Sequence, residues 1–330
     1  MKNKQHHLLL RSMQKPLLFF LLSILTFHPG FSQPSTDNSR TVAITIDDLP
    51  VVTKRRTPAV KLDITQRLVQ SLVDNEVPAI GFVNEVKLFK NGILDSAEVD
   101  LLKIWLEAGL ELGNHTYSHP SLHKVSLTDY QQEILEGEII TKKISEPYGQ
   151  APRYFRHPFL HTGRSVAIRD SLLQFLEVHG YQVAPVSVDN ADYWFAAAYE
   201  RAIINEDADM QQRVREEYLA YMENYFAYYE QQSQALLGQE IAQILLLHAN
   251  ALNADTFDAL AEMMRERGYT FVPLGKALED AAYHTQEDTF TGAAGISWIH
   301  RWAITQGKKG EFFSGEPQVP EFVDKLADSF

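Results

Sequence analysis

The stretch Thr41-Val42-Ala43-Ile44-Thr45-Ile46, followed at once by Asp47-Asp48, sets the pattern of the whole chain. Its β-branched and apolar side chains are typical of a buried strand. Similar strand patterns recur at 79–83, 110–113, 153–155, 182–188, 244–247 and 269–272, and helical patterns separate them at 62–73, 95–106, 127–144, 166–178, 254–265 and 274–282. Strands that alternate with helices indicate an α/β fold with a mostly parallel sheet. About seven such units favour a barrel over an open sheet.

The first 32 residues have the features of a secretory signal peptide. Four Lys or Arg residues precede an apolar stretch at 17–25, which is too short to span a bilayer, and Gly30-Phe31-Ser32 offers small residues for cleavage after Ser32. We therefore expect 1–32 to be removed and 33–40 to be a polar linker. The protein should then be secreted or periplasmic, with no stable membrane insertion after cleavage. An uncleaved membrane anchor is the alternative.

Composition limits the partners. The chain has no Cys, so it has no disulfides and must rely on its core. Its formal net charge is −13, and loss of the basic leader makes the mature protein more acidic. Such a surface argues against nucleic acid or anionic lipid as a partner, and a neutral sugar polymer fits better. The sequence carries no signal for an oligomeric state.

Two segments stand outside the alternation of strands and helices. We expect 41–283 to form one domain that is interrupted by a helical insertion at 195–238, which is rich in tyrosine. This insertion is either a solvated hairpin packed on the barrel or a wall of the cleft whose aromatic rings stack on sugars. The remaining residues, 284–330, are expected to form a C-terminal extension that packs on the barrel.

Polar or charged residues follow five separate strands. They are Asp47-Asp48, His115 with His119, Arg156-His157-Pro158-Phe159, Asp189-Asn190-Ala191-Asp192 and His248. Each alone has an ordinary interpretation as a turn, an incidental pair, a helix cap or a core histidine. In parallel βα barrels, however, active sites are built at the C-terminal ends of the strands. Five such groups together therefore indicate a site.

The chemistry of this set is specific. One Asp and two His can form a three-ligand metal site that leaves positions for water, as in catalytic zinc sites. His115 and His119 lie one helical turn apart, so both could face one ion if the segment coiled. One of Asp47 and Asp48 can bind the ion while the other serves as a base, and His248 can protonate a leaving amine. A divalent ion polarises a carbonyl and lowers the pKa of water, so the set predicts amide or ester hydrolysis.

These motifs, in this order, resemble the polysaccharide deacetylases of carbohydrate esterase family 4, the NodB-type domain, over roughly 41–282. Thr45-Ile46-Asp47-Asp48 is similar to the family's Thr-Phe-Asp-Asp. The resemblance implies that Asp47 is the catalytic base and Asp48 a metal ligand. The segment from Asn114 to His119 resembles the metal-binding motif, which implies His115 and His119 as ligands. The implied cofactor is a divalent metal, zinc first, with cobalt or nickel as alternatives.

The later motifs supply the remaining roles by the same resemblance. Arg156-His157-Pro158-Phe159 is similar to an Arg-x-Pro-aromatic motif, so Arg156 would orient Asp47 and the Phe159 backbone N–H would bind the oxyanion. Asp189-Asn190-Ala191-Asp192 resembles Asp-x-x-Asp-Trp, whose second Asp, here Asp192, holds the catalytic histidine.

Leu246-Leu247-His248 matches a Leu-x-His motif, which implies Leu246 in the acetyl pocket and His248 as the general acid. Leu49-Pro50, Leu160 and Tyr193 depart from the family pattern and alter the cleft walls. The resemblance implies a distorted (β/α) barrel and removal of acetyl groups from N-acetylglucosamine-containing glycans, of chitin or peptidoglycan type. Alternatives are an O-acetyl esterase on xylan, a small-amide hydrolase, or a non-catalytic glycan-binding module.

Overall fold

A computed structural model describes residues 40–328 of the chain. The predicted signal peptide at 1–32 lies outside the described residues, and so does the predicted linker except for Arg40, which begins the first strand. The strands are β1 (Arg40–Leu49), β2 (Ile80–Val83), β3 (Phe89–Lys90), β4 (Ile93–Leu94), β5 (Glu111–Asn114), β6 (Tyr154–Phe155), β7 (Gln182–Val183), β8 (Gln243–His248) and β9 (Tyr269–Phe271).

Helices connect these strands. They are α1 (Pro58–Asp74), α2 (Ser96–Glu107), α3 (Leu127–Glu136), α4 (Ile139–Ser145), α5 (Val166–Val178), α6 (Asp192–Ile204), α7 (Ala208–Leu237), α8 (Ala251–Glu266), α9 (Leu274–Ala277), α10 (Ala282–Thr285), α11 (Trp298–Thr305) and α12 (Glu321–Asp328). Within residues 40–328, no helix combines the length and the apolar character that crossing a membrane requires.

The main sheet is parallel and curls into a distorted barrel, as the sequence predicts. Its strand order is β7-β6-β5-β2-β1-β8, with β9 paired to the start of β1, while β3 and β4 form a separate hairpin. The segment that follows β7 lies beside β8. There, Ser187 N–H donates to the Ile244 carbonyl at 3.0 Å. Leu246 N–H donates to the Val188 carbonyl at 3.2 Å, and these bonds close the ring.

The period of two along β1 divides its side chains between two environments. Val42, Ile44 and Ile46 pack in the large core shared with the helices, and burial of each contributes about 1.5–3 kcal/mol. Ala43 lies in a second cluster with Ile244 of β8. Since side chains alternate along a strand, Asp47 lies on the Ala43 face. β1 and β8 pair with Asp47 opposite His248, so both residues reach the same end of the barrel.

Several predicted elements differ from the structure. The predicted strand 182–188 is wrong beyond Val183, because only Gln182–Val183 forms the strand and Val188 makes a single bridge to Leu245. β1 continues to Leu49, so Asp47 and Asp48 lie within the strand and not after it. The predicted helix 127–144 is interrupted at Gly137, where a Cβ atom would come within 2.5 Å of the Thr116 carbonyl carbon. The predicted final helix 274–282 is wrong, because α9 ends at Ala277, residues 278–281 are not helical, and α10, α11 and α12 follow.

The insertion consists of α6 and α7. The six tyrosines at positions 199, 218, 221, 225, 228 and 229 are at most 6% exposed and all pack in the large core, while other residues of α6 and α7 are exposed, so the insertion is packed on the barrel. Tyr225 also lines the central cleft. In the C-terminal segment, Trp298 N–H donates to the Val186 carbonyl at 2.7 Å, so this segment packs beside the residues after β7 that pair with β8.

Candidate active site

A cluster of potential metal ligands lies at the C-terminal ends of β1 and β5. Asp48, His115 and His119 each offer one ligand atom, and these atoms all lie within 4.8 Å of one another. The Asp48 Oδ1 atom is 3.8 Å from His115 Nε2 and 3.6 Å from His119 Nε2. Asp47 lies 3.7 Å from His115. Of the two neighbouring aspartates, Asp48 is therefore the one close to both histidines.

The protonation of His115 suits metal binding. Its Nδ1 atom lies 2.8 Å from the Arg156 carbonyl oxygen, which can only accept a hydrogen bond. The Nδ1 atom must therefore carry the proton, and the Nε2 lone pair is left to face Asp48. Burial also lowers the pKa of His115, so the ring stays neutral. One carboxylate and two imidazoles in this arrangement fit a divalent metal such as zinc.

A loop, and not a helical turn, brings the two histidines together. Thr116 and His119 have φ angles of 67° and 62°, in the left-handed region that non-glycine residues seldom adopt. The C-terminal end of α3 holds this loop, since Tyr117 N–H donates to the Glu133 carbonyl at 2.9 Å and Ser118 N–H donates to the Glu133 carboxylate at 2.6 Å. The expectation of a coiled segment is wrong, although the rings meet at a centroid distance of 4.8 Å.

Asp47 is a buried carboxylate beside a buried guanidinium. It is 3% exposed, and its Oδ2 atom lies 3.8 Å from Arg156 Nη1. Its Oδ1 atom has no hydrogen-bond partner among the described residues. Burial raises the pKa of Asp47 to about 6, against the opposing charge of Arg156. Such a group can accept a proton near neutral pH.

Arg156 is fixed from several sides. Its Nη2 donates to Thr45 Oγ1 at 2.8 Å, and its guanidinium lies 4.9 Å from the centroid of the Phe82 ring. Thr45 lies two residues before Asp47 on the same face of β1, so the strand that carries the carboxylate also orients the arginine.

A histidine–aspartate pair lies opposite Asp47. His248 Nδ1 is 2.7 Å from Asp192 Oδ1, and His248 N–H donates to Asp192 Oδ2 at 2.8 Å. Burial alone would lower the pKa of His248, but Asp192 outweighs it and raises this pKa to about 9. The His248 ring is therefore doubly protonated and positively charged at neutral pH.

Asn253 completes this pair, and sequence reasoning missed it. Its Nδ2 donates to Asp192 Oδ2 and to the His248 carbonyl, both at 2.8 Å. It lies in the first turn of α8, five residues after His248, with no motif to mark it. The one sequence feature that could have indicated this role is that the helical pattern places Asn253, a polar residue, on the buried face of α8.

The site residues share one cleft of about 970 Å³. Seven of the nine predicted site residues line it: Asp47, Asp48, His115, His119, Phe159, Leu246 and His248. The other two do not line the cleft. Arg156 contacts Asp47, and Asp192 contacts His248. Leu246 packs with Leu160 and Val186 in a small apolar cluster.

Phe159 lies at the lip of the cleft. Its φ angle is 58° and that of Leu160 is 53°, a conformation that costs of order 1–3 kcal/mol per residue and is typical of functional sites. The Phe159 side chain is 54% exposed, and its ring centroid is 4.5 Å from that of His119. The aromatic ring therefore borders the metal-ligand cluster.

Comparison with known proteins identifies related sequences. Residues 35–184 match the family model described as polysaccharide deacetylase. A peptidoglycan-N-acetylglucosamine deacetylase from Bacillus cereus is 28% identical over 166 residues, which are 50% of this chain and 50% of the relative. A chitin deacetylase from Arthroderma benhamiae is 28% identical over 153 residues, 46% of this chain and 35% of the relative. The chain thus spans half or less of the length of these two relatives.

A peptidoglycan deacetylase from Bacillus subtilis is among the solved structures that are similar to this chain. It is 21% identical to this chain, with a TM-score of 0.46, and the match covers 73% of this chain and 91% of that one.

The high pKa of His248 should depend on the charge of Asp192. In Asp192→Asn the hydrogen bond can persist without the negative charge, so we expect burial to dominate and the pKa to fall from about 9 to near or below the ordinary value of about 6.5. Histidine NMR titration measures this shift. Asp258→Asn, the same change on the exposed side of α8, should leave the pKa unchanged. An unaltered pKa in Asp192→Asn would contradict the pairing.

Proposed function

We propose that the protein is a metal-dependent hydrolase, because residues 35–184 match the polysaccharide deacetylase family model. It removes acetyl groups from N-acetylglucosamine-containing glycans of chitin or peptidoglycan type. The observation that carries this proposal is the position of Asp47 and His248, which lie opposite each other on paired strands beside the Asp48, His115 and His119 cluster. Base, acid and metal ligands thus meet in one cleft.

Asp48, His115 and His119 would hold the metal, with zinc as the first expectation and cobalt or nickel as alternatives. Bound there, a divalent ion lowers the pKa of water and polarises the acetyl carbonyl. Burial tends to raise the pKa of Asp48, but Lys87, His119 and His115 outweigh it and keep this pKa below its ordinary value. Lys87 Nζ also donates to the Asp48 carbonyl oxygen at 2.7 Å, which fixes the strand end.

Asp47 takes the proton from the attacking water. Its Oδ1 atom is buried and has no protein partner among the described residues, so its lone pairs are not used by another protein group. Arg156, 3.8 Å away, holds the carboxylate in place and favours its ionised form. This is general base catalysis by a group whose pKa lies close to the working pH.

His248 gives its proton to the departing amine. Asp192 orients the ring through Nδ1, which leaves Nε2 to face the cleft. The backbone N–H of Phe159 donates to the developing oxyanion. Leu246, packed with Leu160, accommodates the methyl of the acetyl group.

We propose that 1–32 directs export, so that the enzyme meets an acetylated glycan outside the cytoplasm, and that 33–40 links it to the deacetylase domain at 41–283. The insertion at 195–238 and the extension at 284–330 each form part of the cleft wall, since Tyr225 of the insertion and Glu316 of the extension line the cleft.

Acetate release across substrates tests the function. We expect release from N-acetyl-chitooligosaccharides or peptidoglycan to exceed release from acetylated xylan, because His248 is placed to protonate an amine. Chelation should abolish the activity, and added zinc should restore it. A protein that prefers acetylated xylan is an O-acetyl esterase. One that binds these glycans but releases no acetate with zinc, cobalt or nickel is a binding module, and either result contradicts the proposal.

Loss of the base should affect turnover and not metal binding. In Asp47→Asn we expect the deacetylation rate to fall on the order of 10²–10⁴-fold, since the amide cannot accept the proton. Zinc affinity, measured by calorimetry, should stay close to that of the parent protein because Asp48 is retained. Asp63→Asn, an exposed change on α1, is the matched control. A variant that deacetylates at the parent rate would rule out Asp47 as the base.

A further inference from the structure

A tryptophan from the C-terminal segment lies against the apolar residues of the site. Leu160, Val186 and Leu246 form a buried cluster, which we call the acyl cluster, and Trp298 of α11 packs against it. Leu160 and Leu246 line the cleft, where the proposed reaction places the methyl of the acetyl group, whereas Trp298 does not line the cleft. The indole therefore supports the acyl cluster without lining the cleft itself.

Trp298 also lines a second cavity, of about 380 Å³. Arg301 and Trp302, further along α11, line the same cavity. His157 lines both this cavity and the cleft, so the two spaces are neighbours. Because Trp298 contacts the acyl cluster and also borders the second cavity, its indole separates the acyl cluster from space that protein atoms do not fill.

The backbone of Trp298 is held beside the acyl cluster. Its N–H donates to the carbonyl of Val186, a member of that cluster, at 2.7 Å. The hydroxyl of the preceding residue, Ser297, donates to the Ser187 carbonyl at 2.6 Å. Two hydrogen bonds thus join the start of α11 to the segment that carries Val186.

The ring of Trp298 is held as well. The guanidinium of Arg301 lies 4.7 Å from the centroid of the indole, a distance at which a cation is attracted to the ring face. Arg301 is 1% exposed, and it donates to Asp288 Oδ2 at 2.8 Å and to Thr162 Oγ1 at 2.6 Å. Thr162 follows Leu160 by two residues, so α11 and the loop that carries Leu160 are tied together. The indole is therefore a fixed wall.

We propose that Trp298 is a specificity-determining residue that limits the length of the acyl group removed from the sugar nitrogen. This inference rests on the proposed deacetylase function and deepens it. An acetyl methyl fits against the acyl cluster, whereas a longer acyl chain has to push that cluster onto the indole. In a close-packed interior such a shift is unfavourable, because side chains leave their preferred rotamers and the backbone moves. Loss of the indole would give the cluster room to retreat toward the second cavity.

A series of acyl groups on one glycan tests this limit. Three glucosamine tetramers carry N-acetyl, N-propionyl or N-butyryl groups and are otherwise identical. Hydrolysis frees the same amine from each, so one amine-reactive dye gives kcat/KM for all three on the zinc-loaded protein. The variants are Trp298→Ala and Trp298→Phe. The control is Trp302→Phe, on the same helix and the same cavity, since Trp302 packs in the large core and not on the acyl cluster.

We expect the parent protein to favour the acetyl over the butyryl tetramer by roughly 10- to 200-fold in kcat/KM, since small differences in chain length are worth about that much in an apolar pocket. Trp298→Ala should reduce this ratio by roughly tenfold, and Trp298→Phe by roughly two- to fivefold, because more space opens behind the acyl cluster. Trp302→Phe should leave the ratio within about twofold of the parent value.

The ratio separates a specificity role from a merely structural one. A structural defect lowers kcat/KM for all three tetramers in proportion, and that outcome would overturn the inference. So would a parent protein that hydrolyses the three tetramers equally well, or a folded Trp298 variant that keeps the parent ratio. Trp298→Phe retains a ring for Arg301 to contact, so it decides the question if thermal unfolding shows that Trp298→Ala does not fold.

Failure of the deacetylase function gives a different result, since the parent protein would then release amine from none of the tetramers. Calorimetry on the same tetramers still measures the preference for acetyl over butyryl in that case, because binding does not depend on turnover. Equal affinities for the three tetramers, or a preference that Trp298→Phe leaves unchanged, would then overturn the assignment of Trp298.

Discussion

The parallel register between β1 and β8 is the constraint on which the site depends. It places Asp47 opposite His248, and the period of two directs both side chains to the same end of the barrel. A slip of one residue in either strand would turn one of these groups away into the helical layer. The apolar residues Val42, Ile44, Leu245 and Leu247 enforce the register, because each is at most 1% exposed in the core.

Burial and charge then give the three carboxylates of the site different tasks. Asp47 is desolvated and only partly compensated by Arg156, so its pKa rises to about 6. Asp48 has a cation and two imidazoles nearby and stays ionised. Asp192 pairs with His248 and raises the pKa of that histidine to about 9. A proton acceptor and a proton donor thus face one cleft at neutral pH, as the proposed hydrolysis requires.

The sequence predicts the barrel and the groups at its rim because both follow from local patterns. Buried strands appear as β-branched apolar stretches, and the polar residues lie at the C-terminal ends of these strands or directly after them. The left-handed turns at Thr116 and His119 were not predictable, since no residue there favours them and the end of α3 imposes them. Closure of the ring through Ser187 and Val188, and the support that Asn253 gives Asp192, depend on contacts between residues more than 50 positions apart.

The C-terminal segment and the insertion illustrate the same limit. Their helical patterns and tyrosines indicate packing, but the sequence does not say that Glu200 anchors the loop after β1 or that Glu316 borders the cleft. Tertiary packing sets side-chain partners of this kind, and local sequence patterns do not reveal them.

We propose that Asp48, His115 and His119 bind one metal ion while Asp47 stays free. Anomalous diffraction at the zinc edge, from crystals grown with zinc, shows which of these residues hold the ion. We expect a single strong peak about 2.0–2.2 Å from one Asp48 carboxylate oxygen and from Nε2 of both histidines, with Asp47 outside bonding distance. A peak bound through Asp47 in place of Asp48, or no peak at this cluster, would contradict it.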